Sequence, residues 1–499
     1  MQLKKQISAI SDGWRPLRSV KCFDGWIVAA TAVLLGPAAC ALPATGSAAL
    51  DAGQAKEPRY LLFWRMPEQV PALVAAVGTR GDGRHLLGFG IPCATLELEK
   101  QVPVLVHQAF ATARKCDVAL MLHFDFHLAW KSRPDLWNWF DPNKPGYNPA
   151  NRDNVEWFGW DGPPARVRYL NHGILQRMPP PICFTSKRIR AEWTRLVNNV
   201  ISPALRQEVA ALQREGESRL FAGVLVGSEP MFDDYSDPDA EMAKMIAEDG
   251  TPRGRLGFRA LRDCGFSKEH PPADLTDALN DIVQETVAFW CRLLVDAGLP
   301  AAKLYPHIAP QVPIEMDGAG ASAAFNRWSR PGWTTYPVMQ LEQGFGPLYA
   351  ELSQHGNPPW GGVEANAGFP DSTVDWETYL GWHYNHAAVL VAINMGATGT
   401  DLPSLLEKSA FSSEAVAAYR KFLHGMALKE LPVAGRPEMR FQLRMHSLQA
   451  TFRSWQAVGR DPSHIARDVE TRLRPLLQSR RYDEAVKVID EALVRLKAK

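Results

Sequence analysis

The chain has 499 residues, of which 46% are hydrophobic, with 55 Lys and Arg against 54 Asp and Glu. This composition is typical of globular proteins, and it excludes a disordered chain or a disulfide-stapled mini-domain. A net charge near zero lacks the basic excess of nucleic-acid-binding proteins, so we expect no nucleic-acid partner. The count of 16 Trp is high. Tryptophan is usually buried or stacked on a flat ligand.

The first 49 residues have the pattern of an export signal. Basic residues precede an apolar run from Trp26 to Leu42, and small residues follow at 47–49. We predict a signal peptide over 1–49 that is cleaved, which makes the mature protein periplasmic or secreted, without stable membrane insertion. The apolar run is short for a membrane span and contains Pro37. A retained N-terminal anchor and a lipid anchor on Cys40 are the alternatives.

From residue 50 onward, short apolar runs alternate with segments of helical period. The runs lie at 59–64, 85–91, 118–124, 220–227, 303–309, 361–367 and 388–394. Nearly continuous apolar strands indicate burial on both faces, as in a parallel sheet covered by helices. No G-x-G-x-x-G turn follows any of these runs, which is unlike a dinucleotide-binding sheet. We therefore predict a (β/α)8 TIM barrel with long loops over residues 50–430.

Two helical segments have clear patterns. Between Thr276 and Leu299 apolar residues recur at spacings of three, four and seven, with Thr276 as the expected N-cap. An apolar stripe runs from Tyr482 to Leu496, and residues 479–493 are similar to one half of a tetratricopeptide unit. We interpret residues 431–499 as a helical C-terminal extension that covers the barrel, with a partner-binding module as the alternative.

Five cysteines follow the predicted signal peptide, and they are widely spaced and odd in number. This spacing contains no C-x-x-C or C-x-x-H pair, so it indicates neither a zinc knuckle nor a redox motif. Most are expected in the core, with one disulfide as the alternative. They are Cys93, Cys116, Cys183, Cys264 and Cys291.

Two glutamates stand at the ends of apolar runs. Glu229 follows LFAGVLVG, and Glu364 lies within PPWGGVEANAG. The C-terminal strand ends of a barrel form its active-site face, and a lone buried carboxylate is costly to desolvate. A facing pair of carboxylates suits cleavage of a glycosidic bond by an acid and a nucleophile. Ordinary ion pairs at strand ends are the alternative, and Glu315 and Glu342 compete for the nucleophile's role.

These strand-end glutamates resemble those of the clan A retaining glycoside hydrolases, whose acid/base Glu follows strand four and whose nucleophile follows strand seven. We count LFAGVLVG as the fourth strand and GGVEANA as the seventh. The resemblance implies that Glu229 is the acid/base, that Glu364 is the nucleophile, and that an oligo- or polysaccharide is cleaved without a cofactor. It also implies carboxyl groups about 5–5.5 Å apart. The clan commonly has Asn before the acid/base, where this chain has Ser228.

The segment HFDFH is a second candidate constellation. In an extended strand His123, Asp125 and His127 project to one face, where they would bind sugar hydroxyls or form structural hydrogen bonds. Amidohydrolase-like barrels offer a metal-site interpretation, in which His307 and Asp401 would complete the ligands. Their histidine pair lies on the first strand with one residue between, unlike this segment, so we predict no metal.

Aromatic and polar residues near the other strand ends are candidates for substrate binding, because flat rings stack on sugars. Burial in the core is the alternative for each tryptophan. The predicted binding residues, besides HFDFH, are Trp130, Ser228, Tyr305, His307, Trp333, Trp360 and Asn366, and Trp64, Trp160 and Trp382 lie in similar positions.

The sequence thus predicts an exported retaining glycosidase. Two other functions stay open: a metal-dependent barrel hydrolase, and a barrel that binds carbohydrate without cleaving it, with Ser228 as the sign of lost activity.

Overall fold

The computed structural model describes residues 57–171, 175–310, 320–336, 345–368, 374–394, 401–429, seven positions between 441 and 455, 460–479 and 481–497. The predicted signal peptide, with Cys40, lies outside the described residues. So do Glu315 and Glu342, the two competitors for the nucleophile's role.

Eight parallel strands form a closed barrel. Each strand pairs with the next in chain order except β5 with β6, and β1 also pairs with β8. Between β5 and β6 the ring is closed by a bridge from Ile308 to Trp333, where the Thr334 N–H donates to the Ile308 carbonyl at 2.8 Å. The predicted (β/α)8 barrel is therefore confirmed. Its strands are β1 (Arg59–Trp64), β2 (His85–Ala94), β3 (Ala119–Asp125), β4 (Phe221–Val226), β5 (Leu304–Pro306), β6 (Gly332–Thr334), β7 (Trp360–Ala365) and β8 (Ala388–Ile393).

Helices surround the strands. The predicted helix after Thr276 is Leu275–Asp296, and it is capped by Asp274 instead, because that carboxylate accepts the Asp277 N–H at 2.9 Å. Lys187–Leu196 continues through a π-helical turn at Val197–Ile201 into Ser202–Glu215. The other helices around the barrel are Val70–Val77, Val102–Cys116, Ala240–Glu248, Phe258–Asp263, Phe345–Gln354, Trp376–Tyr384, Asp401–Ala410 and Ser413–Leu423.

Two apolar layers hold the barrel together. Inside it, side chains such as Leu62, Met121 and Leu225 fill the interior, and Trp64 packs on them at the C-terminal end of β1. Outside it, the strands pack against the helices through large rings, including the fully buried Trp193 and Trp290. The interior is thus a packed core without room for a ligand. A ligand is therefore expected to bind at the C-terminal face of the barrel.

A long, ordered loop connects β3 to the helix Lys187–Leu196. It contains the short helix Pro134–Trp137, a 3₁₀ turn at Pro149–Asn154, and an antiparallel hairpin of Arg168–Asn171 with Leu175–Met178. Because it leaves β3 at its C-terminal end, this loop lies on the same face of the barrel as the candidate site.

The C-terminal extension is helical, as predicted. Ser463–Gln478 and Tyr482–Lys497 pack together around their own apolar cluster, which includes Ile465, Ala485 and Ile489. The predicted boundary at 430/431 lies outside the described residues and stays a prediction. None of the five cysteines forms a disulfide. No helix within the described ranges has the length and apolar character needed to cross a membrane.

Candidate active site

Glu229 follows β4 in a tight and strained turn. Gly227 has φ 81°, and a Cβ at that position would lie 2.7 Å from the Trp290 ring, so the turn requires glycine. Glu229 itself has φ 51°, a left-handed conformation that costs a residue with a side chain about 1 kcal/mol or more. Its N–H donates to the His307 carbonyl at 3.1 Å. Such local strain is concentrated at functional sites.

Glu364 is the fifth residue of β7, and several donors surround its carboxylate. Asn394 Nδ2 donates to Oε1 at 2.6 Å, the Tyr336 hydroxyl donates to the same oxygen, and His307 Nε2 lies 3.0 Å from Oε2. Burial alone would raise the pKa of Glu364. The bond and charge of His307, with the Tyr336 and Asn394 bonds, instead lower that pKa to about 2. Glu364 is therefore a carboxylate at neutral pH.

His307 follows β5 and lies between the two glutamates. Its Nε2 is 3.0 Å from Glu364 Oε2, 3.7 Å from Glu229 Oε1 and 3.1 Å from Thr334 Oγ1. The Thr334 hydroxyl donates to Glu229 Oε1 at 2.6 Å. Burial opposes protonation of His307, but its bond to Glu364 and the negative charges of both glutamates and Asp125 raise its pKa above the usual value. His307 Nε2 thus lies within reach of both carboxylates.

The three side chains have the geometry of a compact site. One oxygen of each glutamate and a ring nitrogen of His307 all lie within 4.8 Å of one another, and this is the one such cluster of potential metal ligands among the described residues. Two carboxylates and an imidazole suit a divalent cation as well as acid–base chemistry. The geometry alone therefore permits both.

His123 and Trp64 form the neighbouring wall. The His123 ring lies edge-on to the rings of His307 and Trp64, with centroids 5.4 Å and 5.5 Å away, and its Nε2 is 2.5 Å from the Gly227 carbonyl. Burial and the charge of His307 lower the pKa of His123 to about 4. A neutral His123 that donates Nε2–H to Gly227 supports the turn that presents Glu229.

The HFDFH segment does not share one face, because β3 ends at Asp125 and the alternation of side chains ends with it. The Asp125 carboxylate accepts the N–H groups of His127, Leu128 and Ala129 at 2.9, 2.9 and 3.0 Å. His127 lies in the layer outside the barrel, stacked on Trp290 with centroids 5.7 Å apart. Of this segment, only the His123 ring contacts the His307 ring, and Asp125 acts on His307 through its charge.

The other predicted binding residues lie in several places. Trp130, Tyr305, Trp333 and Trp360 are at most 1% exposed, and the structure does not bring them together with the glutamates. Trp382 is buried, and Trp160 packs on Phe258. Asn366 is buried behind the site, where Nδ2 donates to the Asn394 carbonyl at 2.6 Å. Ser228 is half-buried beside Glu229, and Asp401 begins the helix Asp401–Ala410. Substrate contact by these residues stays a prediction.

Sequence reasoning missed three residues of the site: Thr334, Tyr336 and Asn394. The first two belong to β6 and the residues directly after it, and a three-residue strand leaves no apolar run to detect. Asn394 directly follows β8, so the rule that singled out the glutamates, a polar residue at a strand end, also applies to it.

No protein-family model matches the chain, and none of the curated proteins matches its sequence. The structure is similar to the catalytic domain of a β-amylase from Paenibacillus polymyxa, with 7% identity and a TM-score of 0.42 over 74% of this chain and 98% of that one. It is also similar to an endo-1,4-β-mannanase from Rhizomucor miehei (10% identity, TM-score 0.35, 74% and 97% covered). A third similar structure is a D-psicose 3-epimerase from Clostridium cellulolyticum H10, with 10% identity and a TM-score of 0.35 over 73% of this chain and 99% of that one. Similarities this low assign the chain to no family.

Proposed function

We propose that this protein is an exported glycoside hydrolase that cleaves an oligo- or polysaccharide with net retention of configuration. The observation that carries the proposal is the facing pair at the ends of β4 and β7, where oxygens of Glu229 and Glu364 lie within 4.8 Å. Retaining glycosidases hold their carboxyl groups about 5–5.5 Å apart, whereas inverting enzymes need about 6.5–9.5 Å to admit a water. The close pair favours retention.

In the proposed first step, Glu364 attacks the anomeric carbon while Glu229 donates a proton to the glycosidic oxygen. The new bond joins C1 to a Glu364 oxygen, and the leaving group departs as an alcohol. The lowered pKa of Glu364 keeps the nucleophile ionised. In the second step Glu229, now a carboxylate, takes a proton from water, which attacks C1 and releases Glu364.

The polar neighbours have separate tasks in this scheme. Tyr336 and Asn394 hold Glu364 through Oε1, so that its attack geometry is fixed. Thr334 holds Glu229 through Oε1. His307 stabilises the ionised Glu364 through the contact of Nε2 with Oε2, and it also lies beside Glu229, which becomes ionised after the first step.

The first experiment measures hydrolysis of a panel of aryl and natural glycosides by wild type, Glu229→Ala and Glu364→Ala. On an activated aryl glycoside, azide should rescue Glu364→Ala with an inverted glycosyl azide and Glu229→Ala with a retained one. Glu208→Ala is the control, because Glu208 is a glutamate of similar burial that pairs with His107 and Arg114 outside the site. If both site variants match wild type, the proposal is wrong.

A metal-dependent hydrolase is a second candidate, favoured by the close approach of the three potential ligand atoms. Its ligands would be Glu229, His307 and Glu364 instead of the HFDFH residues. Activity that is lost on dialysis against a chelator and restored by one divalent cation would establish the metal enzyme. Unchanged activity would support the glycosidase.

Export is proposed from the pattern of residues 1–49 alone. Expression of the full chain in a Gram-negative host, followed by fractionation and N-terminal sequencing, tests it. A periplasmic or secreted protein that begins near residue 50 is expected, and an intact N-terminus in the cytoplasm would contradict it.

A further inference from the structure

The strained turn of Glu229 continues into a segment, residues 229–235, that is fixed to the long loop after β3. Arg168, in the hairpin of that loop, forms an ion pair with Asp233. Arg168 Nη2 and Nε both donate to Oδ1, at 2.9 and 3.2 Å, and Nε also lies 2.9 Å from Oδ2. The two side chains are only 6% and 11% exposed. The pair thus joins two N–H donors of one guanidinium to one carboxylate oxygen, in a place that is nearly removed from solvent.

Two ring contacts accompany the ion pair. Phe232 packs edge-on to Phe184 with centroids 5.3 Å apart, and the Tyr235 hydroxyl accepts the Tyr169 N–H at 3.1 Å. Tyr235 is 2% exposed. Phe232, Asp233 and Tyr235 therefore all contact the same loop, although the loop and the segment follow different strands.

We propose that Arg168 and Asp233 are positioning residues that hold Glu229 in its catalytic orientation. This inference rests on the proposed function. Upstream, the Glu229 N–H is fixed on the His307 carbonyl; downstream, the segment is fixed four residues later by the Arg168–Asp233 pair. A left-handed Glu229 persists only where both sides of the turn are held.

The nature of the contact supports positioning over stability. A buried ion pair usually contributes little more to stability than an apolar pair of the same size, because both charges must be desolvated. A planar guanidinium that donates two hydrogen bonds to one carboxylate does, however, restrict the relative orientation of the two groups. Catalytic groups need such orientation, because small displacements reduce the rate sharply.

Rates on substrates with different leaving groups distinguish a displaced Glu229 from a loss of folded enzyme. An alkyl glycoside or a natural oligosaccharide requires protonation of its leaving oxygen, whereas a dinitrophenyl glycoside does not, because its phenolate is already stable. A variant that displaces Glu229 should therefore lose kcat/KM on the poor leaving group and keep the first step on the activated one. A general loss of folded enzyme would reduce both rates equally.

The experiment compares kcat/KM on these two substrates for Asp233→Asn and Arg168→Lys, with Glu229→Gln as the reference. Arg133→Lys is the control, because Arg133 joins the same long loop to Glu192 away from the 229–235 segment. Both positioning variants should lose about 100-fold on the poor leaving group, within the range of general acid catalysis, and little on the activated substrate. Thermal unfolding is measured in parallel, and Arg168→Lys keeps a positive partner for Asp233 if Asp233→Asn fails to fold.

Two results overturn the inference: equal losses on both substrates, or a pattern matching that of Arg133→Lys. If either result is found while Glu229→Gln loses kcat/KM only on the poor leaving group, the positioning role is refuted and the proposed function stands. If Glu229→Gln shows no dependence on the leaving group, the proposed function itself fails.

Discussion

Replacement of His307 by Gln tests the electrostatics of the site most directly. Among the groups that lower the pKa of Glu364, His307 contributes most, through both its bond and its charge. Gln keeps a donor of similar reach but removes the positive charge. The carboxylate would then depend on Tyr336 and Asn394, whose neutral groups form weaker bonds to it.

The size of the effect follows from the strength of that contact. An opposite charge within about 4–6 Å lowers the pKa of a carboxyl group by about 1–3 units, so the pKa of Glu364 should rise by roughly one to three units when the charge of His307 is removed. The nucleophile must be ionised, so activity is lost as the pH falls through this pKa. Raising the pKa therefore moves the acid limb of the profile to higher pH.

The assay is kcat/KM against pH on an activated aryl glycoside, for wild type and His307→Gln. His383→Gln is the control, since His383 is also buried but bonds to the Thr335 hydroxyl and the Tyr379 carbonyl. Its acid limb should match that of wild type. If the limb of a folded His307→Gln protein also stays at the wild-type position, His307 does not control the ionisation of Glu364.

Three further predictions concern single side chains. Tyr336→Phe removes a donor from Glu364 and should lower kcat/KM about tenfold, as expected for about 1.4 kcal/mol, with an unchanged melting temperature. Trp290→Ala should lower the free energy of unfolding by about 3–5 kcal/mol in urea titrations, because that ring is fully buried. Burial lowers the pKa of His383 from 6.5 to about 4, so the unfolded state binds its proton first as the pH falls. Between pH 6.5 and 4 wild type should therefore lose up to about 3 kcal/mol more stability than His383→Gln, and equal losses would refute this reasoning.

The barrel was predictable because its long strands are buried on both faces. β4 and β8 are buried at every position, and such runs are typical of strands that are covered on both faces. β6 escaped detection because it has three residues, and its pairing is decided by β7 and by the bridge at Ile308 instead of by its own pattern. Thr334 was missed with it.

The candidate pair of glutamates was predictable for a different reason. A carboxylate is expensive to bury, so its appearance after an apolar run identifies a place where the fold supplies partners. Glu364 has three such partners, and they come from three other places along the chain, at 307, 336 and 394. Sequence separation of that size leaves no local pattern, so the partners emerge only when the strands are paired.

For tryptophans and histidines, the cost of burial does not separate site residues from core residues in this way. A Trp gains from burial in a core for the same reason that it gains from a sugar's flat face, so position near a strand end does not separate Trp333 from Trp64. His123 and His127 differ by four residues, yet one lies beside the candidate nucleophile's partner and the other is stacked on Trp290. What separates them is the end of β3 at Asp125, whose carboxylate binds three backbone N–H groups and turns the chain. The cost of burying a side chain thus decides whether its position near a strand end indicates a role in the site. For a glutamate that position is informative, and for an aromatic ring it is not.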